Sequence, residues 1–144
     1  DDFFSGSVLE NVTLFDEAVD VARLQNCLGE VGMAEVLKRM PMGLHTPLGD
    51  MASGFSCGQL QRLMLARALY RMPDYLFLDE GTANLDADSA RMVQSVVERL
   101  TCTRVVITHD LSFASGADRV YLLENGCLRK AQLAPRSAVT LSPG

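Results

Sequence analysis

Apolar positions along the chain follow two different periods. The opening segment, Asp1 to Leu14, scatters Phe3, Phe4, Val8, Leu9 and Val12 around Ser5-Gly6-Ser7. Ser7 with Glu10 three residues later predicts a short capped helix entered from a loop. Asp16 is a good cap for a second helix, and Val19, Leu24, Cys27, Leu28 and Val31 recur at near-helical spacing behind it. Gly29 and Gly32 are expected to end or interrupt it. A shorter helix, Ala34 to Met40, should stop before Pro41. The stretch from Pro41 to Gly58 holds Gly43, Pro47, Gly49 and Gly54 and reads mostly as loop. Gln59 to Tyr70 is helical again, and Pro73 forbids its continuation.

Near residue 75 the pattern changes. Tyr75-Leu76-Phe77-Leu78 is a continuous apolar run that ends in Asp79-Glu80. Asp86 can cap a helix carrying Met92, Val93, Val96, Val97 and Leu100. Val105-Val106-Ile107 is a second apolar run, ending in Thr108-His109-Asp110. Two such runs around an amphipathic helix predict a βαβ unit with parallel strands covered on both faces. Val120–Leu123 and Cys127-Leu128 flank Asn125-Gly126 and predict a hairpin. The predicted fold class is α/β: a helical part over residues 1–72, parallel strands with helices over 73–130, and a loose tail over 131–144.

Composition narrows the function classes. The 144 residues suffice for one domain and hardly for two. Lys plus Arg is 13 against 18 Asp plus Glu, a net charge of −5, which argues against a nucleic-acid partner. Apolar residues at 48% and charged ones at 22% describe a globular chain. No apolar run approaches the roughly 18 residues of a membrane span, and the opening Asp1-Asp2 does not resemble a signal peptide. Cys27, Cys57, Cys102 and Cys127 form no close pair, which fits reduced thiols better than zinc ligation.

Three features carry chemistry. Asp79 and Glu80 end a buried strand, where parallel sheets bind ligands. Acids there can hold Mg²⁺ and orient a water, or can be a solvated pair at a turn. His109 ends the next apolar run and is either a phosphate contact or a structural histidine. Ser56-Cys57-Gly58-Gln59 opens a helix, which makes either an anion site or a plain serine cap.

Taken in order, Ser56-Cys57-Gly58-Gln59-Leu60-Gln61-Arg62, the strand ending in Asp79-Glu80, Ala83-Asn84-Leu85-Asp86 and Thr108-His109-Asp110 resemble the second half of an ABC transporter ATP-binding cassette. Phe55-Ser56-Cys57-Gly58-Gln59 is similar to its signature motif, Tyr75–Asp79 to its Walker B strand, and Ala83–Asp86 to its D-loop. Met40-Pro41-Met42-Gly43, Leu48-Gly49-Asp50-Met51 and Asp79–Asp86 resemble the colicin V and bacteriocin exporters.

The resemblance implies a partial P-loop NTPase core behind a signature-bearing helical subdomain. It implies ATP and Mg²⁺ as cofactors and an ATPase that drives export of a bacteriocin-like peptide. Asp79 would hold the metal, Glu80 would be the catalytic glutamate and His109 would meet the γ-phosphate. Ser56, Gly58 and Gln59 would complete the site of a second cassette in a head-to-tail dimer, and Asp86 would link the two. Phe3, Phe4 and the loop before the signature would face a transmembrane domain, at the cytoplasmic face of the bacterial inner membrane.

Two departures matter. The 144 residues contain no G-x-x-x-x-G-K-[ST], so these residues alone should be inactive. Cys57 stands where the family usually has a glycine, which weakens the signature. A fragment that donates its signature without turnover is one alternative. Another is an α/β-hydrolase, because Gly54-Phe55-Ser56-Cys57-Gly58 matches G-x-S-x-G and Asp86 and His109 follow in order. An elbow needs an apolar strand before it, and Asp50-Met51-Ala52-Ser53 is not one.

Overall fold

The first helix forms where its capping box predicts it. A computed structural model describes residues 2–49, 54–83 and 85–131, with Ser112 by its backbone alone. The chain divides into two units, Asp1–Ile107 and Thr108–Gly144. In the first unit, α1 (Val8–Thr13) starts at Ser7, whose hydroxyl accepts the Glu10 amide while the Glu10 carboxylate accepts the Ser7 amide. The Ser7 amide, and after it the Ser7 hydroxyl, donate to the Glu10 carboxylate and hold it below the usual range. Asn11 is fully buried and clamps the segment before α1. Its Oδ1 accepts Phe4 N–H at 2.9 Å, and its Nδ2 donates to the carbonyls of Phe4 and Ser7, each at 3.0 Å.

The second helix, α2 (Val21–Glu30), begins four residues later than Asp16 suggested. Asp16 instead closes a local turn, accepting the Ala18 amide at 3.0 Å. Asp20 is the cap: it accepts Arg23 N–H at 3.0 Å, and its own N–H donates to the Tyr70 hydroxyl. Gly29 lies within the helix, and the chain turns at Gly32, at φ +66°. The third helix, α3 (Ala34–Arg39), stops before Pro41 as expected. Two short strands pair Gly6 with Leu48 and Ser7 with Pro47 (β1, Gly6–Ser7; β2, Pro47–Leu48). Ladders that short leave no alternating pattern to read.

The longest helix is α4 (Cys57–Tyr70), which packs on α1, α2 and α5 (Ala87–Arg99). Its start lies two residues ahead of the predicted Gln59 because Ser56 is the cap. Leu63, Ala66 and Tyr70 are buried on it, as are Val8 and Val12 of α1 and Leu24 and Leu28 of α2, the helices it packs on. Val93, Val96 and Val97 form the buried stripe of α5. α5 connects the two strands of the predicted parallel pair, β3 (Tyr75–Asp79) and β4 (Thr103–Ile107), in the register Phe77 to Val105 and Asp79 to Ile107. Arg104 ties the sheet to the helix by donating to the Val97 carbonyl.

The expectation of strands covered on both faces is not met. Leu76 is buried and Leu78 half-buried, but Phe77 is 71% exposed and Ile107 57%. Tyr75 and Val105 share this open face. Among the described residues, an apolar run that reads as a fully buried strand is therefore half covered.

In the second unit, α6 (Leu111–Ala114) precedes the hairpin of β5 (Val120–Glu124) and β6 (Cys127–Ala131). Asn125 at φ 49° and Gly126 at φ 75° supply the two left-handed residues that the tight turn requires. The four cysteines are unlinked thiols. Burial and the nearby Glu30 push the Cys27 thiol up. The tail predicted over 131–144 begins one residue too early, since Ala131 pairs with Val120 in β6; residues 132–144 lie outside the described residues.

Candidate functional site

The acidic pair is positioned by the parallel sheet. Leu76 and Leu78 anchor β3 inward, so Asp79, of opposite parity, points away from the core at the strand's carboxyl end. Glu80 leaves the strand with φ +49°, a left-handed backbone unusual for a side chain of that size. The bend is held from both sides. Glu80 N–H donates to the Ile107 carbonyl at 2.9 Å, and the Glu80 carbonyl accepts Ala83 N–H at 2.8 Å. Gly81 is buried against Leu78, where an added Cβ would lie 3.3 Å from Cδ2.

Asp79 and Glu80 are hard oxygen donors at adjacent positions. Mg²⁺ asks a protein for one or two such carboxylates and takes its other ligands from water and phosphate. The residues therefore fit that ion. Among the described residues no cluster of three or more His, Cys, Asp or Glu would hold a metal unaided.

The Ser56 segment forms a capping box. The Ser56 hydroxyl accepts Gln59 N–H at 3.2 Å, and Gln59 Oε1 accepts Ser56 N–H at 2.9 Å. Both side chains proposed to meet a ligand thus already satisfy the helix start. Cys57 is the exposed residue of the first turn, while Gly58 is buried. Asp86 caps α5 in the same way, accepting Ser89 N–H at 2.9 Å and Asp88 N–H at 3.1 Å. The Ser89 amide first, and then its hydroxyl, hold the Asp86 carboxyl below the usual range. Asn84, beside it in sequence, lies outside the described residues.

The structure brings two of the candidate segments together. An added Cβ on Gly58 would sit 3.5 Å from Asp86 Oδ2. His109 belongs to the second unit, exposed on a turn where Thr108 Oγ1 accepts Asp110 N–H at 3.0 Å.

The sequence assigned no role to Ser89, nor to Arg62 beyond closing the signature-like run. Arg62 Nε donates to the Gly58 carbonyl at 3.2 Å and Nη1 to the Gly32 carbonyl at 3.4 Å. Its place four residues after Gly58 on a helix was the available signal.

Residues 3–83 match the family model described as ABC transporter. The chain belongs to the ABC transporter family. The ATP-binding domain of ABC transporters is a P-loop NTPase, and the mixed helix and sheet seen here agree with part of one. The resemblance to bacteriocin exporters stands too. Two Escherichia coli proteins are each 40% identical to the chain over 120 residues: a "probable microcin-H47 secretion/processing ATP-binding protein" and a colicin V secretion/processing ATP-binding protein. An ATP-dependent lipid A-core flippase of Cupriavidus pinatubonensis is 40% identical over 128 residues. These matches cover 83%, 83% and 85% of the chain, but the chain spans 17%, 17% and 22% of those ABC transporter relatives.

Two local findings bear on how this ABC transporter chain departs from the patterns considered. Gly54 and Phe55, directly before Ser56, are not in a strand, and a nucleophile elbow needs one there. Cys57 takes the first turn of α4 without a positive φ, so a side chain is accommodated at that signature position.

Proposed function

We propose that the chain is the later part of an ATP-binding cassette whose binding and hydrolysis of ATP drive export of a bacteriocin-like peptide. The observation that carries the reading is the end of β3. A parallel neighbour in fixed register delivers Asp79 and Glu80 side by side at the carboxyl edge, and Glu80 is turned out of the strand by a doubly hydrogen-bonded bend.

In this reading Asp79 holds Mg²⁺, which neutralises phosphate charge when bound. Glu80 accepts a hydrogen bond from the attacking water and orients it, and His109 donates to a γ-phosphate oxygen. Ser56, Gly58 and Gln59 present the start of α4 to the nucleotide of a second cassette, and Asp86 links the two cassettes. The remaining partner is a transmembrane domain met by Phe3, Phe4 and the loop before Ser56, at the cytoplasmic face of the inner membrane. No described helix is itself long and apolar enough to cross a membrane. A phosphate-cradling loop has to be supplied from outside these 144 residues, so they alone should show no turnover.

The test is a chimera in which this chain replaces the matching segment of the colicin V relative. ATP hydrolysis and peptide export should persist. Glu80→Gln, which keeps the shape but removes the charge, should lower kcat by about 10²-fold, the lower range for losing a positioned base. Turnover that ignores Glu80→Gln would leave only a signature-donating role. Hydrolysis without peptide export would move the substrate to another class, such as a lipid.

A further inference from the structure

Gly58 is closed in by its own chain. An added Cβ there would lie 2.6 Å from Ser89 Oγ and 3.0 Å from Ser89 Cβ. A hydroxyl can rotate away, but a Cβ moves only if the backbone of α5 moves. A methyl group at residue 58 therefore requires the Ser89 hydroxyl to turn away and α5 to give by a few tenths of an ångström, whatever else approaches α4. The contact continues one turn further. Ser89 and Met92 are three apart on α5, and Gly58 and Arg62 four apart on α4, so each pair shares a face. Arg62 Nη1 lies 3.5 Å from Met92 Sδ, and an added Cβ on Gly32 would lie 2.8 Å from that sulfur. The facing rows meet closely at Gly58, the turn after α2 brings Gly32 against Met92, and the Ser89 amide also donates to the Asp86 cap.

We propose that Ser89 is a positioning residue: packed on Gly58, it locks the Asp86 end of α5 to the first turn of α4, so the two segments shift as one body. Its meaning for ATP turnover rests on the cassette reading above. In that reading a displacement of the α4 start passes to Asp86 through direct contact, and Gly58 is small because of Ser89.

Amide hydrogen exchange on the 144-residue chain tests the contact without nucleotide. Gly58→Ala should quicken exchange at Asp88 and Ser89 by roughly ten- to hundredfold, as overpacking strains the site. Adding Ser89→Gly should return both amides to the rates of the Ser89→Gly chain. Adding Ser89→Ala should restore them only in part, because Cβ remains. Should Gly58→Ala fail to fold, a folded Gly58→Ala/Ser89→Gly chain supports the proposal equally. Unchanged amides in Gly58→Ala, or a double variant no better than Gly58→Ala, would overturn it. In the chimera, Gly58→Ala should lower kcat and Ser89→Gly should restore it to within about threefold of the Ser89→Gly chimera. Exchange restored without turnover would reduce the contact to packing and overturn the positioning role. A chimera inactive in every form would sink the cassette reading instead and leave the contact standing.

Discussion

Replacing Tyr70 by alanine is expected to destabilise the chain by about 3 to 5 kcal/mol, the range for emptying a buried aromatic site. A domain of this size has a margin of about 5 to 15 kcal/mol in all, so a large part of it would go. Tyr70 ends α4 and is 1% exposed. Its ring lies under the Arg23 guanidinium, 5.6 Å from the centroid, and its hydroxyl accepts Asp20 N–H at 3.0 Å. One side chain therefore fills the core and satisfies the capping residue of α2. Urea unfolding separates the two parts. Tyr70→Phe keeps the ring and should cost about 1 kcal/mol for the lost hydrogen bond. Equal midpoints for Tyr70→Phe and Tyr70→Ala would show that the ring contributes little.

Asn11→Asp should be as severe at neutral pH. The substitution keeps the volume but turns a donor facing two carbonyls, those of Phe4 and Ser7, into an anion. An uncompensated buried charge costs about 3 to 5 kcal/mol. Burial raises the folded-state pKa of the new carboxyl above its unfolded value. The folded form then binds the extra proton more readily, so the penalty is complete above the folded pKa and fades as pH falls toward the unfolded value. Unfolding measured at pH 7 and again near pH 4 should show the gap to the unsubstituted chain closing in acid. A gap that widens in acid would mean the side chain is not held where described.

Local chemistry was the legible part of this chain. Ser7 with Glu10 announced α1, Asn125-Gly126 announced the hairpin, and two apolar runs announced β3 and β4 as a parallel pair. In each case the residues that define the element lie close in sequence or repeat strongly. What the sequence hid depends on distant partners. Asp16 and Asp20 are equally good caps by type, and one partner of the second, the Tyr70 hydroxyl, lies fifty residues away. The open face of β3 and β4 was equally hidden, because Phe77 and Ile107 look the same whether or not something covers them. At the candidate site, the types of Asp79, Glu80 and Asp86 were readable. Ser89 was not, since its part comes from a glycine on another helix.

The bend at Glu80 sets stability against chemistry. A side chain with a left-handed backbone costs about 1 to 2 kcal/mol relative to glycine, which adopts that conformation freely. Library selection for thermal resilience alone would accordingly drift toward glycine or asparagine at residue 80, and the sturdiest descendants would be the ones that had surrendered their carboxylate.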